Sequence, residues 1–306
     1  MIEDDWECVE VIGKEDVRRG LPALPIGGEV KFLQRYTNIS YNCVDRHIST
    51  EDNRYETAML WEGNFWDDDV HDYADLTWDT VQVLTNKIAS IFKEYCGMNP
   101  ATAKLSELTT LLKETSPKLV VTVDGFWQGH ELYETKKQLD KAIDDAQISS
   151  IDRILVIRHT GPNPGVPPPE RLYPGRRPCY SLQVPINNQV DLLWSKEIAK
   201  ACTQCEPEWL PANHPFAIIP QWTPDLYLRT ITTGQLLQAA WEFSPHLLSA
   251  CLSLAHPQTV LGLVGCMAPW LTGKTLAIFE GTLDHPDPSR LKHVIAKFEV
   301  RLLFTV

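Results

Sequence analysis

The feature that most constrains this chain is a strand–helix–strand succession near its middle. Lys118-Leu-Val-Val-Thr-Val123 is a short β-branched run closed by Asp124-Gly125. A helical pattern covers 134–146, and Arg153-Ile-Leu-Val-Ile-Arg158 is a second apolar run. Two strands joined through a helix lie parallel in one sheet, with a right-handed crossover. The fold class is therefore α/β.

The flanking sequence supports the same class. Thr77 stands as an N-cap before Val81, Leu84, Ile88, Ile91 and Phe92, which recur at helical spacing. That helix should stop near Cys96-Gly97, ahead of Pro100. A second helix is expected over 104–113, with Leu105, Leu108, Leu111 and Leu112 on its buried side. Ala58-Met-Leu-Trp61 reads as a short strand that turns at Glu62-Gly63. The acidic run Asp67-Asp68-Asp69 reads as a solvated loop. The Pro/Gly-rich stretch 161–178 admits neither helix nor central strand, so it is a loop whose basic residues are solvated. Beyond it, helices are expected over 234–243 and 289–298, the latter capped by Ser289. Strands are expected over 275–279 and 300–306. A buried strand normally leads into further structure, so the expectation from 300–306 is a chain cut short. Residues 1–57, with a short helix within 36–47, read as an ordered wrapping arm, and 58–306 as the body.

Charge and composition exclude several classes. With 28 basic and 40 acidic residues the formal charge is −12, which gives a nucleic-acid backbone no general attraction. No stretch is apolar enough for a membrane span, and the acidic start is no targeting segment. The eight scattered cysteines read as reduced thiols, so the expected compartment is cytoplasmic. Cys202-Thr-Gln-Cys205 lacks the second pair of a zinc site, and His214 adds a single ligand. A redox pair would sit where a strand meets a helix start, whereas these cysteines follow a helix end. They read as inert. No HExxH, nucleophile elbow, Walker loop or dinucleotide fingerprint is present. Neither a metal site nor a cofactor site is expected.

Five motifs carry a family resemblance. Tyr36-Thr-Asn-Ile-Ser-Tyr-Asn-Cys-Val-Asp-Arg-His47 is similar to the opening signature of acetyl-CoA synthetases, Leu-Asn-Val-Ser-Tyr-Asn-Cys-Leu-Asp-Arg-His. Ala58-Met-Leu-Trp-Glu-Gly63, Pro117-Lys-Leu-Val-Val-Thr-Val-Asp-Gly125 and Arg153-Ile-Leu-Val-Ile-Arg-His-Thr-Gly161 resemble later family segments in family order. The last of these is Lys-Val-Leu-Val-Val-Arg-Arg-Thr-Gly in the family. Phe279-Glu-Gly281 with Pro286-Asp-Pro-Ser-Arg290 completes the set. The chain thus resembles the N-terminal half of the acetyl-CoA synthetase, AMP-binding adenylate-forming family. That resemblance implies a partial acyl-CoA-synthetase-like N-terminal domain, with mixed and parallel sheets flanked by helices and no C-terminal mobile domain.

The departures from the family carry the functional expectation. A βα stretch after Gly97 is missing, which would leave a strand absent from the middle or edge of a sheet. The family's Gly-rich phosphate loop, with its lysine, corresponds to Pro220-Gln-Trp-Thr-Pro-Asp225. Prolines donate no N–H there, and Asp225 would repel phosphate. On the CoA side the family's Asp-Gly-Gly-Tyr-Arg-Gly-Gly-Lys reads Asp124-Gly-Phe-Trp-Gln-Gly-His-Glu131, so Gln128 and Glu131 replace two cations beside Trp127. The acyl-pocket segment matches 261–266 only loosely, with Gly273 retaining the following turn.

The resemblance with these losses implies a truncated protein without acyl-CoA ligase chemistry of its own. Such a protein would act through a protein partner, self-association or an intact relative. One alternative is a small-molecule enzyme repurposed on the same scaffold, using Asp45, His47, Asp124, His130 or Glu131. Another is a fragment of an acetate–CoA ligase.

Overall fold

The computed structural model describes residues 36–48, 51–67, 70–94, 97–98, 105–162, 165–172, 176, 178–222, 225–243, 250–300 and 302–304. Residues 1–35 of the expected arm, Asp68 and Asp69 of the acidic run, Cys96, Pro224 and parts of the Pro-rich stretch lie outside them. In chain order, β1 (Tyr36–Thr37) leads into α1 (Ile39–Cys43), a 3-10 turn (Asp45–Ile48) and α2 (Glu51–Arg54). β2 (Thr57–Asp67) and β3 (Val70–Thr77) precede α3 (Trp78–Glu94), β4 (Gly97–Met98) and α4 (Leu105–Thr115). Next come β5 (Leu119–Val123), β6 (Phe126–Gln128), β7 (Glu131–Tyr133), α5 (Thr135–Ala146) and β8 (Arg153–Ile157). β9 (Asp191–Leu193), α6 (Trp194–Lys200), β10 (Leu210–Pro211), β11 (Pro215–Trp222), β12 (Leu226–Thr232) and α7 (Thr233–Phe243) follow. β13 (Cys251–Ser253), α8 (Val260–Leu271), β14 (Leu276–Phe279), α9 (Arg290–Lys297) and β15 (Leu302–Phe304) complete the order.

The βαβ reading holds. β5 and β8 pair in parallel from Leu119↔Arg153 to Val123↔Ile157, inside a four-stranded parallel sheet ordered β4-β5-β8-β9. Its apolar runs are explained by cover on both faces. Val120, Ile154 and Val156 pack on Leu108 and Leu112 of α4 and Leu139 and Ala142 of α5. Leu119, Val121 and Leu155 pack on Ile91 of α3. The second sheet is mixed, ordered β15-β13-β14-β2-β3, with only β2–β3 antiparallel. α1, α7 and α8 cover one face. Phe279 and Leu252 meet Val294 of α9 and Phe298 on the other. Among the described residues no helix is long and apolar enough to cross a membrane.

Two expectations need correction and a third is narrowed. Glu62-Gly63 is no turn: β2 runs on to Asp67, with its register against β3 shifting between Glu62 and Trp66. Such a bulge bends a strand without ending it. Of the two places expected for the missing βα stretch, the middle of the sheet shows no break: among the described residues the order β4-β5-β8-β9 is continuous, with two-residue β4 outermost. Pro220 and Gln221 are not in a loop but within β11, opposite Leu228 and Tyr227 of β12. A two-stranded ribbon is all edge, the one sheet context that tolerates proline. The 261–266 segment lies inside α8, whose N-cap Thr259 accepts from the Gly262 N–H at 3.0 Å.

Thr77 does cap α3, accepting from the Thr80 N–H at 3.3 Å. Ser289 holds the cap position of α9 without a side-chain cap bond; instead its N–H donates to Asp287 Oδ1 at 2.7 Å.

The second sheet is bound to α9 by buried charge. Glu62 is fully buried in β2 and accepts from Arg290 Nη2 at 2.8 Å and Lys297 Nζ at 2.6 Å. Arg290 Nη2 also donates to the Gly63 carbonyl at 3.0 Å, and its guanidinium lies 4.4 Å from the Trp66 ring centroid. Removing one member of a buried pair strands its partner's charge, whereas replacing both avoids that cost. Arg290→Leu is expected to cost roughly 3 kcal/mol in urea unfolding, and adding Glu62→Leu should recover part of the loss. A double variant less stable than the single one would contradict this account.

Candidate functional site

Open α/β sheets place ligands outside the carboxyl ends of their parallel strands. In this chain those ends come from both sheets and meet. β5 runs into Asp124-Gly125, β8 into Arg158-His159-Thr160-Gly161, and β14 into Glu280. Asn64, in the bulge of β2, exchanges two hydrogen bonds with Gly129 across the junction. Its Nδ2 donates to Gly129 O at 2.9 Å, and its Oδ1 accepts from Gly129 N at 2.8 Å. Gly129 sits at φ +60 in the two-residue β6–β7 turn, a conformation that favours glycine. His159 Nε2 lies 2.5 Å from Glu280 Oε1, with both side chains about one-fifth exposed (18% and 22%).

Asp124 is the most buried candidate and the least available one. Its Oδ1 accepts from the N–H groups of Gly125, His159 and Thr160 at 2.8, 2.8 and 2.9 Å. Oδ2 accepts from Gly161 N at 2.7 Å. A Cβ at Gly161 would stand 2.7 Å from that oxygen, so the glycine is what lets the backbone approach. With three backbone N–H groups on Oδ1 and one on Oδ2, the carboxylate is engaged as a structural anchor.

The other CoA-side positions sit on the β6–β7 hairpin. Gln128 and Glu131 are exposed and opposite one another, and Glu131 Oε2 accepts from Tyr133 OH at 2.9 Å. His130 is exposed and meets His285 edge-on with ring centroids 4.5 Å apart. Trp127 Nε1 is buried without a hydrogen-bond partner among the described residues.

Asp45 and His47 lie elsewhere. The Asn38 side chain caps α1 by accepting from Tyr41 N at 2.8 Å, and fully buried Asn42 donates to Thr37 and to the Asn38 carbonyl. Asp45 accepts from Gln82 Nε2 at 2.8 Å, and Arg46 Nη2 donates to the Leu271 carbonyl. The signature thus clasps α1 to α3 and α8, which gives its residue types a structural reason. His47 packs on Trp78 beneath Gly273, beside a cavity of about 380 Å³ lined by Thr57, Ala250 and Thr275. Thr57 opens β2, while Ala250 and Thr275 immediately precede β13 and β14. That cavity is therefore at the amino ends of the strands. Burial and the adjacent Arg46 cation push His47 down to about 4. Asp45 and His47 are not brought to Asp124, His130 and Glu131, so the five candidates form no single site.

Sequence reasoning missed His159, Glu280, Asn64 and His285. One signal was available: the family segment matching 153–161 carries arginine where this chain has His159, and its partner Glu280 lies inside the Phe-Glu-Gly motif. The phosphate-loop positions also part from expectation. Pro220 and Gln221 are held in the β11–β12 ladder, and exposed Asp225 borders it.

Comparisons with known proteins agree with this architecture. No family model matches the chain. The chain is 24% identical over 314 residues to the acetyl-coenzyme A synthetase of Vibrio cholerae, covering 88% of this chain and 43% of that protein. Its match to the Photobacterium profundum enzyme is 24% over 323 residues, covering 90% and 45%. Among solved structures, the acyl-CoA synthetase of Brucella canis superposes with a TM-score of 0.60 at 15% identity, covering 89% of this chain and 47% of that one. The fold is that of an acyl-CoA synthetase. The sequence relatives are acetyl-CoA synthetases, of whose length this chain spans less than half, as expected of an N-terminal half.

Two predictions follow from these positions. Asp124→Ala would leave four N–H donors without their acceptor and should cost roughly 3 kcal/mol or more; stability within 1 kcal/mol of the parent by urea unfolding, against the ~1 kcal/mol of an ordinary bond, would refute the anchor role. His47 binds its proton less readily folded than unfolded, so its contribution is complete above the ordinary value of 6.5 and is lost as pH falls towards about 4. Relative to His47→Gln, the parent should lose roughly 2–3 kcal/mol across that window. Parallel stability–pH curves for the two proteins would contradict it.

Proposed function

We propose that this chain is an acetyl-CoA synthetase-like protein that forms no acyl-adenylate or thioester by itself and acts through a protein partner, an intact relative or self-association. The observation that supports this reading is the β11–β12 pairing, in the stretch that corresponds by sequence resemblance to the family's phosphate loop. A phosphate cradle needs successive N–H groups converging on one anion, usually with glycines and a lysine. Between His214 and Thr233 there is neither glycine nor lysine, and Pro220 brings no N–H. In an extended strand the N–H groups on one edge recur at every second residue, about 7 Å apart. They cannot close on a single phosphate. On the hairpin that corresponds to the CoA side, Gln128 is uncharged and Glu131 is anionic, so neither draws a phosphate.

A second reading, a repurposed small-molecule enzyme, is favoured by one observation. The His159–Glu280 pair stands at the carboxyl ends of β8 and β14, where an acid–base pair could serve a reaction. Its positions differ from the candidates read from sequence.

Both readings are tested by one assay set on purified protein from a host lacking acetyl-CoA synthetase. Acetate-dependent ATP–pyrophosphate exchange and thioester formation should stay at the background of a mock preparation, and Mg-ATP should bind no tighter than millimolar. Exchange above background would overturn the main reading. A reaction with another small molecule that is lost in Glu280→Gln would favour the second.

A further inference from the structure

A cleft at the amino ends of β8 and β9 carries an unbalanced charge. α5, the loop before β8 and the segment before β9 enclose a cavity of about 300 Å³, at the small end for ligand sites. Ile143, Ile148, Ile151, Pro185 and Val190 supply an aliphatic wall, and Lys136, Asp140, Asp144 and Asp191 supply the polar part. Lys136 is almost fully buried, with its Nζ 2.6 Å from Asp140 Oδ1 and 3.0 Å from Asp191 Oδ2. One ammonium thus faces two carboxylates in direct contact, with Asp144 also lining the cleft.

The Asp191 carboxylate points to what is missing. Its side chain is 1% exposed. Oδ2 is served twice, by Lys136 and by Asn187 N at 2.8 Å, whereas buried Oδ1 has no hydrogen-bond partner among the described residues. A buried acceptor without a donor is costly, and more so when it carries charge. Burial pushes Asp140 above the usual carboxylate range against the pull of Lys136, with Asp191 and Asp144 adding to the rise. A second cation would remove both the charge imbalance and the orphaned acceptor.

We propose that this cleft binds a small primary ammonium on a branched aliphatic body, with the ammonium donating to Asp191 and Asp140 and the body against the isoleucines. Neither part suffices alone: the aliphatic wall gives burial without orientation, and the carboxylates give orientation without selectivity for an apolar body. The site is independent of the acyl-CoA synthetase resemblance and of the strand-end junction.

The test is calorimetric titration of the full chain at neutral pH with isoamylamine, isoamyl alcohol and isovalerate. The three share one aliphatic body and differ in charge. Isoamylamine should bind saturably, and the alcohol and the acid at least about tenfold more weakly. Asp140→Asn should weaken the amine several-fold. Ile151→Trp, on the rim between α5 and β8, should abolish binding by filling the cleft while circular dichroism stays unchanged. Should Asp140→Asn fail to fold, the Ile151→Trp comparison and the three-ligand ranking still decide. Equal binding of amine and alcohol, amine binding that survives Ile151→Trp, or no amine binding at all would overturn the proposal. In the last case Asp191 Oδ1 is satisfied by water alone.

Discussion

The carboxylate of Asp124 holds the carboxyl ends of β5 and β8 in place. Four backbone N–H groups, from Gly125, His159, Thr160 and Gly161, converge on its two oxygens. The loop after β8 is therefore fixed by charge-assisted bonds. His159 is consequently aimed at Glu280 of the other sheet, and the β6–β7 hairpin is presented to Asn64. The bonds across the junction, Asn64 to Gly129 and His159 to Glu280, depend on loops that this buried group holds, and Glu62 with Arg290 and Lys297 binds β2 to α9.

This accounts for the separation of scaffold from chemistry in the molecule. Several residues of the motifs that resemble acetyl-CoA synthetases have structural work to do. Asn38 caps α1, Asn42 ties its start, Asp124 anchors two loops, and Glu62 and Arg290 form a buried pair. Positions facing a phosphate in the proposed correspondence have changed type: Gln128, Glu131, Pro220 and Asp225. The stability of a fold draws on the first set and not on the second, so the two can vary separately.

The legible parts of the fold were those with a local period. α3, α4 and α5 declare themselves through apolar spacing, and β5 and β8 through β-branched runs of fitting length. α8 was invisible because Val260–Leu271 is apolar nearly all round and contains Pro269, so it has no stripe to read. The β6–β7 hairpin has strands of three residues, too short for any pattern. Pro220 concealed the continuation of β11, because proline argues against a strand except in an edge setting that only the tertiary structure reveals. At the candidate site, Asp124 was found by its motif but its role was not, since four backbone partners leave no trace in side-chain types. The His159–Glu280 contact joins residues 121 positions apart and depends on the packing of two sheets.

The central claim is that Pro220 and Gln221, in the segment corresponding to the phosphate loop, are held in an antiparallel ribbon that offers nucleotide no cradle. Hydrogen–deuterium exchange over residues 215–232, with and without saturating Mg-ATP, tests it most directly. The account predicts protection at alternating ladder amides of β11 and β12 that is unchanged by nucleotide. Uniformly fast exchange without ligand, together with new protection of 215–225 on adding Mg-ATP, would contradict it.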